Sequence, residues 1–163
     1  MAAPAMIAFL RRLFARPEPV LAEAKLRDAA AIAQLHGASF NRGWSETELE
    51  RMLADRHVLA YRATSGRTLA GFILSRMVMD EAEILSVAVA APWRGRGLAG
   101  RLLDLHLRRL AGLGMRTIFL EVEEGNQPAL RLYRRAGFRQ VGRREGYYRE
   151  SQGAAALILR RDL

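Results

Sequence analysis

The sequence of 163 residues predicts an α/β protein with a mixed, mostly antiparallel twisted sheet of about seven strands, flanked on both faces by four helices. Three observations predict this class. Apolar segments of strand period alternate along the chain with segments of helical period. A strand-like run at 83–90 leads into a glycine-rich loop and then into a leucine-rich segment. The length suits one domain with a buried core, since half of the residues are hydrophobic.

The N-terminal half is predicted to contain three strands and two helices. The first helix has apolar residues at helical spacing around Ile32, and Gly37 suits its end. Ser45 and Glu48 have the spacing of a capping box, which predicts the start of the second helix. A turn at 64–67 separates the second strand from the third. The predicted ranges are 20–25, 27–35, 45–53, 57–63 and 68–79.

The C-terminal half is predicted to contain two more helices and four more strands. A strand at 83–90 precedes a long helix that ends near the glycines at 112–114. The leucines of its predicted buried stripe are Leu98, Leu102, Leu105 and Leu110. A strand at 117–122 follows, and Asn126 with Pro128 predicts a helix that ends at Gly137. Final strands at 138–148 and 155–160 give the order β-α-α-β-β-β-α-β-α-β-β.

Residues 1–19 are interpreted as a basic amphipathic extension, and residues 20–163 as a single domain. The apolar run of the extension is too short to span a bilayer, and Pro17 and Pro19 interrupt it. It is either a frayed or docked extension or a segment that lies on an anionic membrane surface. With no cysteine and no export signal, the sequence predicts a cytoplasmic protein.

The net charge of +9 comes almost wholly from arginine and favours anionic ligands or partners. The arginines are spread along the chain, which predicts a diffuse basic surface rather than a nucleic-acid interface. His36, His57 and His106 form no ligand pair, and we expect each at the surface or the edge of the core. No metal site is predicted.

The segment Arg94–Gly100 is predicted to bind a pyrophosphate. Glycine lets the backbone approach a ligand, and the first-turn N–H groups of the following helix have no helical acceptor. Arg94 and Arg96 add charged donors that suit phosphate. The segment is not a Walker loop, because the only lysine is Lys25. A glycine turn with surface arginines is the alternative.

Three residues further along are candidates for chemistry. Glu121 lies in an otherwise apolar strand, where partial burial would raise its pKa toward that of a working base. The alternative is a strand-end residue in solvent or paired with an arginine. Tyr133 is either a core residue or an acid that protonates a leaving thiolate. Asn126 is a helix cap that could also bind a ligand.

Two motifs resemble those of the GCN5-related N-acetyltransferase (GNAT) superfamily. The pattern Arg94-x-x-Gly97-x-Ala99 looks like its acetyl-CoA signature. The pattern Asn126-x-x-Ala129-x-x-Leu132-Tyr133-x-x-x-Gly137-Phe138 looks like its second signature. The element order also matches from about residue 20 onward. The resemblance implies the GNAT fold, with acetyl-CoA as co-substrate and no metal.

A closer resemblance is to the RimI-type acetyltransferases, which acetylate the N-terminus of a ribosomal protein of the S18 kind. It is carried by residues 80–89, 120–122 and 146–148 and by Trp44-Ser45-Glu46. It implies Glu121 as the base and Tyr133 as the acid of a direct transfer in a ternary complex. The implied cofactor-binding residues are Val87, Ala88, Val89, Arg94, Gly95, Arg96, Gly97, Leu98, Ala99, Gly100 and Asn126. The candidate substrate residues are Trp44, Glu83 and Tyr147.

Two points stay open at the level of sequence. Glu81 or Glu83 on the fourth strand could be the base instead of Glu121. The acceptor could be a protein N-terminus, a lysine side chain or a small amine, and a non-catalytic acyl-CoA-binding module is a further alternative. The expected partners are acetyl-CoA and a protein or peptide N-terminus.

Overall fold

A computed structural model of the chain describes residues 17–148 and 154–163. The strands are β1 (Val20–Glu23), β2 (Val58–Ser65), β3 (Thr68–Val78), β4 (Glu81–Val89), β5 (Thr117–Glu123), β6 (Arg139–Tyr148) and β7 (Ala154–Asp162). The helices are α1 (Ala29–Ser39), α2 (Glu46–Ala54), α3 (Leu98–Gly112) and α4 (Gln127–Arg135). Their number and order confirm the predicted fold class. The predicted extension falls mostly on residues 1–16, outside the described part of the chain.

All seven strands form one sheet in the order β1-β2-β3-β4-β5-β7-β6. The pairing of β4 with β5 is parallel, and the other pairs are antiparallel. The helix α3 connects the two parallel strands, as a parallel pair requires a crossover.

The two faces of the sheet carry separate hydrophobic clusters. The larger cluster joins β2–β5 and β7 to α3 and α4, and it contains Leu102, Ile118, Leu130 and Tyr133. The smaller cluster lies under α1 and α2, around Ile32, Leu49 and Phe72. Helices therefore cover both faces, as the sequence predicts.

The strands β4 and β5 separate partway along their length. Their paired residues run from Glu81–Thr117 to Ile84–Leu120, although both strands continue beyond that point. A β-bulge follows directly in β4: Leu74 pairs with Ser86 and Ser75 with Ile84, which leaves Leu85 as the extra residue. The sheet is thus split at the carboxyl ends of its two parallel strands. This split positions the candidate site.

Several local predictions hold and others need correction. Ser45 caps α2 in a capping box with Glu48, as predicted. The helix α1 continues to Ser39, past its predicted end at Gly37. In α3, Leu105 is only partly buried, whereas His106 is fully buried.

No helix within residues 17–148 or 154–163 has the length and apolar character needed to span a membrane.

Candidate active site

The loop between β4 and α3 presents backbone N–H groups beside the split. Gly95 and Gly97 have φ angles of 71° and 75°, and Gly97 caps the helix. A side chain at either position would be strained, because L-residues rarely adopt this left-handed conformation. The Arg101 N–H donates to the Gly97 carbonyl at 3.1 Å and begins the helical ladder. The N–H groups of Leu98, Ala99 and Gly100 therefore have no acceptor within the helix. This arrangement can bind an anion.

A cleft of about 1070 Å³ extends from this loop between α3 and α4. Its described lining residues are Val89, Trp93, Arg94, Gly95, Gly97, Leu98, Ala99, Gly100, Leu103, Asp104, Leu107, Pro128, Arg131, Leu132, Arg135, Ala136, Gly137, Arg139, Arg161 and Asp162. Seven of the predicted cofactor-binding residues, from Val89 to Gly100, are among them. The other four, Val87, Ala88, Arg96 and Asn126, are not part of this wall.

The two arginines of the loop have different surroundings. The Arg94 Nε donates to the Val89 carbonyl at 2.9 Å, so this side chain fastens the loop to the end of β4. The Arg96 guanidinium carbon lies 5.2 Å from the centre of the Trp93 ring, and Trp93 itself is buried. Both arginines are exposed and keep donors available to a ligand.

The end of β4 turns part of its backbone toward the split. The Ala90 N–H donates to the Ala70 carbonyl of β3 at 2.9 Å. Because successive peptide groups of a strand point in opposite directions, the Ala88 N–H also points toward β3. The N–H groups of Val87 and Val89 point toward β5. These two N–H groups lie beyond the last β4–β5 pair. They are positioned to donate to a ligand in the split.

Glu121 is the first residue of β5 beyond its pairing with β4. Its neighbours Leu120 and Val122 are buried on the side of α3 and α4, so Glu121 faces the opposite side of the sheet. Its side chain is 22% exposed, and its Oε1 lies 3.1 Å from the Arg144 Nη2. Glu121 therefore pairs with an arginine, which is the alternative that the sequence offers. The pair lies where β4 and β5 separate.

Tyr133 lies in α4, on the other side of the sheet from Glu121. It is 7% exposed and belongs to the larger hydrophobic cluster. Its ring packs edge to face on Phe138, with centroids 5.6 Å apart. The core packing that the sequence offers as an alternative is present. Neither Tyr133 nor Glu121 lines the large cleft.

Asn126 caps α4, as its sequence position predicts. Its Oδ1 accepts a hydrogen bond from the Ala129 N–H at 3.2 Å. Since this bond uses only the carbonyl end of the side chain, the amide nitrogen keeps its capacity to donate. The residue is exposed.

The candidate substrate residues lie in three different elements. Trp44 precedes α2, and its ring stacks on His36 with centroids 4.0 Å apart, which is the packing alternative. Glu83 is exposed on β4, where it pairs with Arg76 and Phe119 inside the paired part of the sheet. Tyr147 belongs to β6. The role of these three residues in binding the acceptor stays a prediction.

Two of the histidines are more buried than predicted. His106 is fully buried; burial lowers its pKa to about 3, and its Nε2 lies 2.7 Å from the Ser75 Oγ. His36 is also buried, and desolvation lowers its pKa, while the nearby Glu48 acts in the opposite direction. His36 Nδ1 accepts from the Trp44 N–H at 3.0 Å, so this histidine fixes the segment before α2.

Sequence reasoning missed the arginines that surround the cleft and the split. Arg131 and Arg135 of α4 line the cleft together with Arg139 and Arg161. The i, i+4 spacing of the first two could have indicated a shared basic face. Arg144 contacts Glu121 across β7, and no local pattern indicates a contact between strands that are not neighbours in the sheet.

Comparisons with known proteins agree with this arrangement. Residues 29–138 match the model of the acetyltransferase (GNAT) family. The chain is 39% identical over 152 residues to N-alpha-acetyltransferase RimI of Mycobacterium tuberculosis, covering 89% of this chain and 94% of that protein. It is 30% identical over 116 residues to the ribosomal protein bS18-alanine N-acetyltransferase of Escherichia coli strain K12, covering 71% and 78%.

The fold is also similar to a solved structure. The crystal structure of the ribosomal-protein-S18-alanine N-acetyltransferase from Escherichia coli has a TM-score of 0.82 and 26% sequence identity with this chain. The similarity covers 88% of this chain and 93% of that one. The implied GNAT fold is thereby confirmed.

Proposed function

Since the chain belongs to the acetyltransferase (GNAT) family and is an acyl-CoA-dependent N-acetyltransferase, we propose that it acetylates the N-terminal α-amino group of a protein, with acetyl-CoA as donor. The observation that carries this proposal is the split between β4 and β5. The glycine loop lies at one end of this split. Glu121 lies where the split begins, with its side chain on the face of the sheet opposite α3 and α4. The names of the two relatives favour a protein N-terminus, ribosomal in one case, as acceptor. A cytoplasmic location fits such an acceptor.

The residues of the cleft fit a long anionic thioester. The N–H groups of Leu98, Ala99 and Gly100 and the Arg94 side chain suit the pyrophosphate. The Val87–Val89 backbone would hold the pantetheine arm, and Asn126 would donate to it from α4. Acetyl-CoA supplies the activated acetyl group. No metal is needed in this scheme.

The proposed transfer uses one side chain from each side of the sheet. Glu121, directly or through water, accepts the proton that the acceptor ammonium must lose before it attacks. The Val89 N–H is oriented to stabilise the oxyanion that forms during the attack. Tyr133 then donates a proton to the departing thiolate. Because Glu121 and Tyr133 lie on opposite sides of the sheet, the reacting carbon would have to lie within the split.

The rival bases Glu81 and Glu83 are less well positioned for this role. Both lie where β4 and β5 are still paired, so the sheet is closed beside them. Both are also exposed to solvent. Glu121, in contrast, directly follows the last paired residue of β5 and so lies beside the open part of the sheet, which supports it as the base.

The acceptor is tested by incubating the protein with acetyl-CoA and a panel of amines, followed by mass spectrometry. The panel contains a peptide with a free N-terminal alanine and an internal lysine, the same peptide with a blocked N-terminus, and small polyamines. We expect acetylation of the α-amino group, with the lysine unmodified. Modification of the lysine or of small amines alone would contradict the proposal.

The catalytic roles are tested with Glu121→Gln and Tyr133→Phe. Loss of a general base or acid lowers kcat by about 10²- to 10⁴-fold. The phenylalanine keeps the ring that packs on Phe138. Glu123→Gln, two residues further on the same face of β5, is the matched control and should keep the rate. Full activity of the first two variants, with normal CoA binding, would show that the roles are wrong.

A further inference from the structure

The ion pair between Glu121 and Arg144 occupies the carboxylate that the proposed reaction uses. The Arg144 Nη2 lies 3.1 Å from the Glu121 Oε1. The two side chains differ in exposure, with 22% for Glu121 and 52% for Arg144. The Glu121 side chain is therefore mostly buried at the sheet, whereas the Arg144 side chain that contacts it is about half exposed to solvent.

The sheet order explains how this arginine reaches β5. Glu121 pairs with Ile158 of β7, and Ile158 pairs with Gly142 of β6. Arg144 is two residues beyond Gly142, so both lie on the face that carries Glu121. Gly142 has no side chain on this face beside Ile158, where a Cβ would lie only 3.1 Å from the Ile158 Cδ1. The arginine side chain thus crosses β7 to a carboxylate on the next strand.

The adjacent arginine makes a comparable contact at a different acid. Arg143 donates from Nε and Nη2 to the two carboxylate oxygens of Glu124, at 3.2 and 2.9 Å. The hydrogen bond from Arg143 lowers the pKa of Glu124. Arg143 also contacts Glu145. Two consecutive arginines of β6 therefore bind different acids, and only Arg144 contacts the proposed base.

We propose that Arg144 sets the affinity for the acceptor by competing with the acceptor ammonium for the Glu121 carboxylate. This inference rests on the proposed function. An amine that arrives as an ammonium ion carries the charge needed to replace the guanidinium. A neutral group does not carry it. Arg144 thereby weakens the binding of cationic acceptors at the position where the proton is removed and leaves the binding of neutral groups unchanged.

The competition ends once the acetyl group has been transferred. The ammonium gives its proton to Glu121, its nitrogen forms a bond to the acetyl carbon, and the carbon–sulfur bond breaks. The thiolate takes a proton from Tyr133, the second proton that the nitrogen loses is returned to Tyr133 through solvent, and Glu121 passes its own proton to solvent. The product nitrogen is now a neutral amide and no longer pairs with a carboxylate. Arg144 then returns to Glu121.

The size of the effect follows from the exposure of the pair. Partly exposed ion pairs change an equilibrium constant by about 1.4- to 5-fold. Removing the competing guanidinium should therefore tighten binding of a cationic acceptor by about two- to fivefold. It should leave the binding of a neutral ligand unchanged.

The test measures peptide binding to the CoA-loaded protein by calorimetry, for the wild type and for Arg144→Gln. One peptide begins with a free alanine, and the second is the same peptide with an acetylated N-terminus; neither has a charged side chain. We expect the Kd of the free-amine peptide to fall about two- to fivefold in Arg144→Gln. The Kd of the acetylated peptide should stay the same. Arg144→Lys should restore the wild-type values.

Two controls separate competition at Glu121 from a general loss of positive charge. Arg143→Gln removes an equal charge from the neighbouring position and should leave both Kd values unchanged. In a Glu121→Gln background, Arg144→Gln should have no further effect, because the shared carboxylate is gone. An unchanged Kd, an equal change for both peptides, or the same change in the Glu121→Gln background would overturn the inference.

Acetyl transfer by the wild type to the same free-amine peptide is measured in parallel. If transfer to the α-amino group occurs and the Kd pattern fails, only the competition is wrong. If the wild type neither binds nor acetylates the peptide, the proposed function fails and the inference fails with it.

Discussion

Gly71 lies where α3 packs on the sheet beside the split, and Gly71→Ala perturbs that contact directly. Gly71 is opposite Val89 in the β3–β4 pair. A Cβ at this position would lie 2.9 Å from the Ala88 carbonyl oxygen, 3.2 Å from the Leu102 Cδ1 and 3.4 Å from the Val89 Cγ2. The first of these atoms belongs to the backbone, so it moves only if the end of β4 moves.

The expected loss of stability is that of an overpacked core. Additional methyl groups in well-packed sites destabilise by about 1–3 kcal/mol. Gly37→Ala is the matched control, because Gly37 lies inside α1 and a Cβ there meets no atom within 4 Å. Alanine should stabilise a helix at such a site by about 0.5–1 kcal/mol. The same chemical change thus has opposite signs at the two positions.

The assay is urea unfolding of both variants, with the free energy of unfolding compared to that of the wild type. Because the Val87–Val89 backbone is proposed to hold acetyl-CoA, we also expect Gly71→Ala to raise the KM for acetyl-CoA. A neutral or stabilising Gly71→Ala would show that β4 moves aside freely. The end of β4 would then not be held rigidly beside α3.

Two further predictions concern the glycine loop and the buried histidine. Gly97→Ala should destabilise by about 1–2 kcal/mol and weaken CoA binding, because φ is 75° and no atom lies near the added Cβ, so that the strain is purely conformational. Unchanged urea unfolding and CoA titration would contradict this. Because burial lowers the pKa of His106 to about 3, the unfolded chain binds a proton that the folded one excludes as the pH falls below about 6.5. Wild-type stability should therefore fall by about 2 kcal/mol more than that of His106→Gln between about pH 7.5 and pH 5 in urea unfolding; equal losses would exclude His106 as the cause.

Features that depend on local sequence could be predicted well. The capping box of Ser45 and Glu48, the cap at Asn126 and the glycine loop each involve residues within a few positions of one another. Hydrophobic period likewise fixes the type and order of the elements, since it reflects which face of a segment is buried. The helix α1 is an exception at its end, because Gly37 is tolerated within a helix where no left-handed residue is required.

Features that depend on tertiary context could not be predicted in the same way. The bulge at Leu85 inverts which residues of β4 face α3: Ala82 and Ile84 before it, and Val87 and Val89 after it. A sequence that alternates regularly does not reveal such an inversion. His106 is buried for a similar reason, since only the fold places Ser75 of β3 beside its ring nitrogen.

Glu121 shows how sequence and structure bear on one residue. The sequence leaves two interpretations, a catalytic base or the partner of an arginine, and treats them as alternatives. The structure has the arginine pair, and it has the carboxylate where the two parallel strands part. A base for an ammonium acceptor needs a carboxylate that is ionised and can be reached, and a half-exposed guanidinium is a partner that a cation can replace. The two interpretations are therefore compatible as successive states of one proposed site, with Arg144 bound before the acceptor arrives and again after the acetylated product leaves.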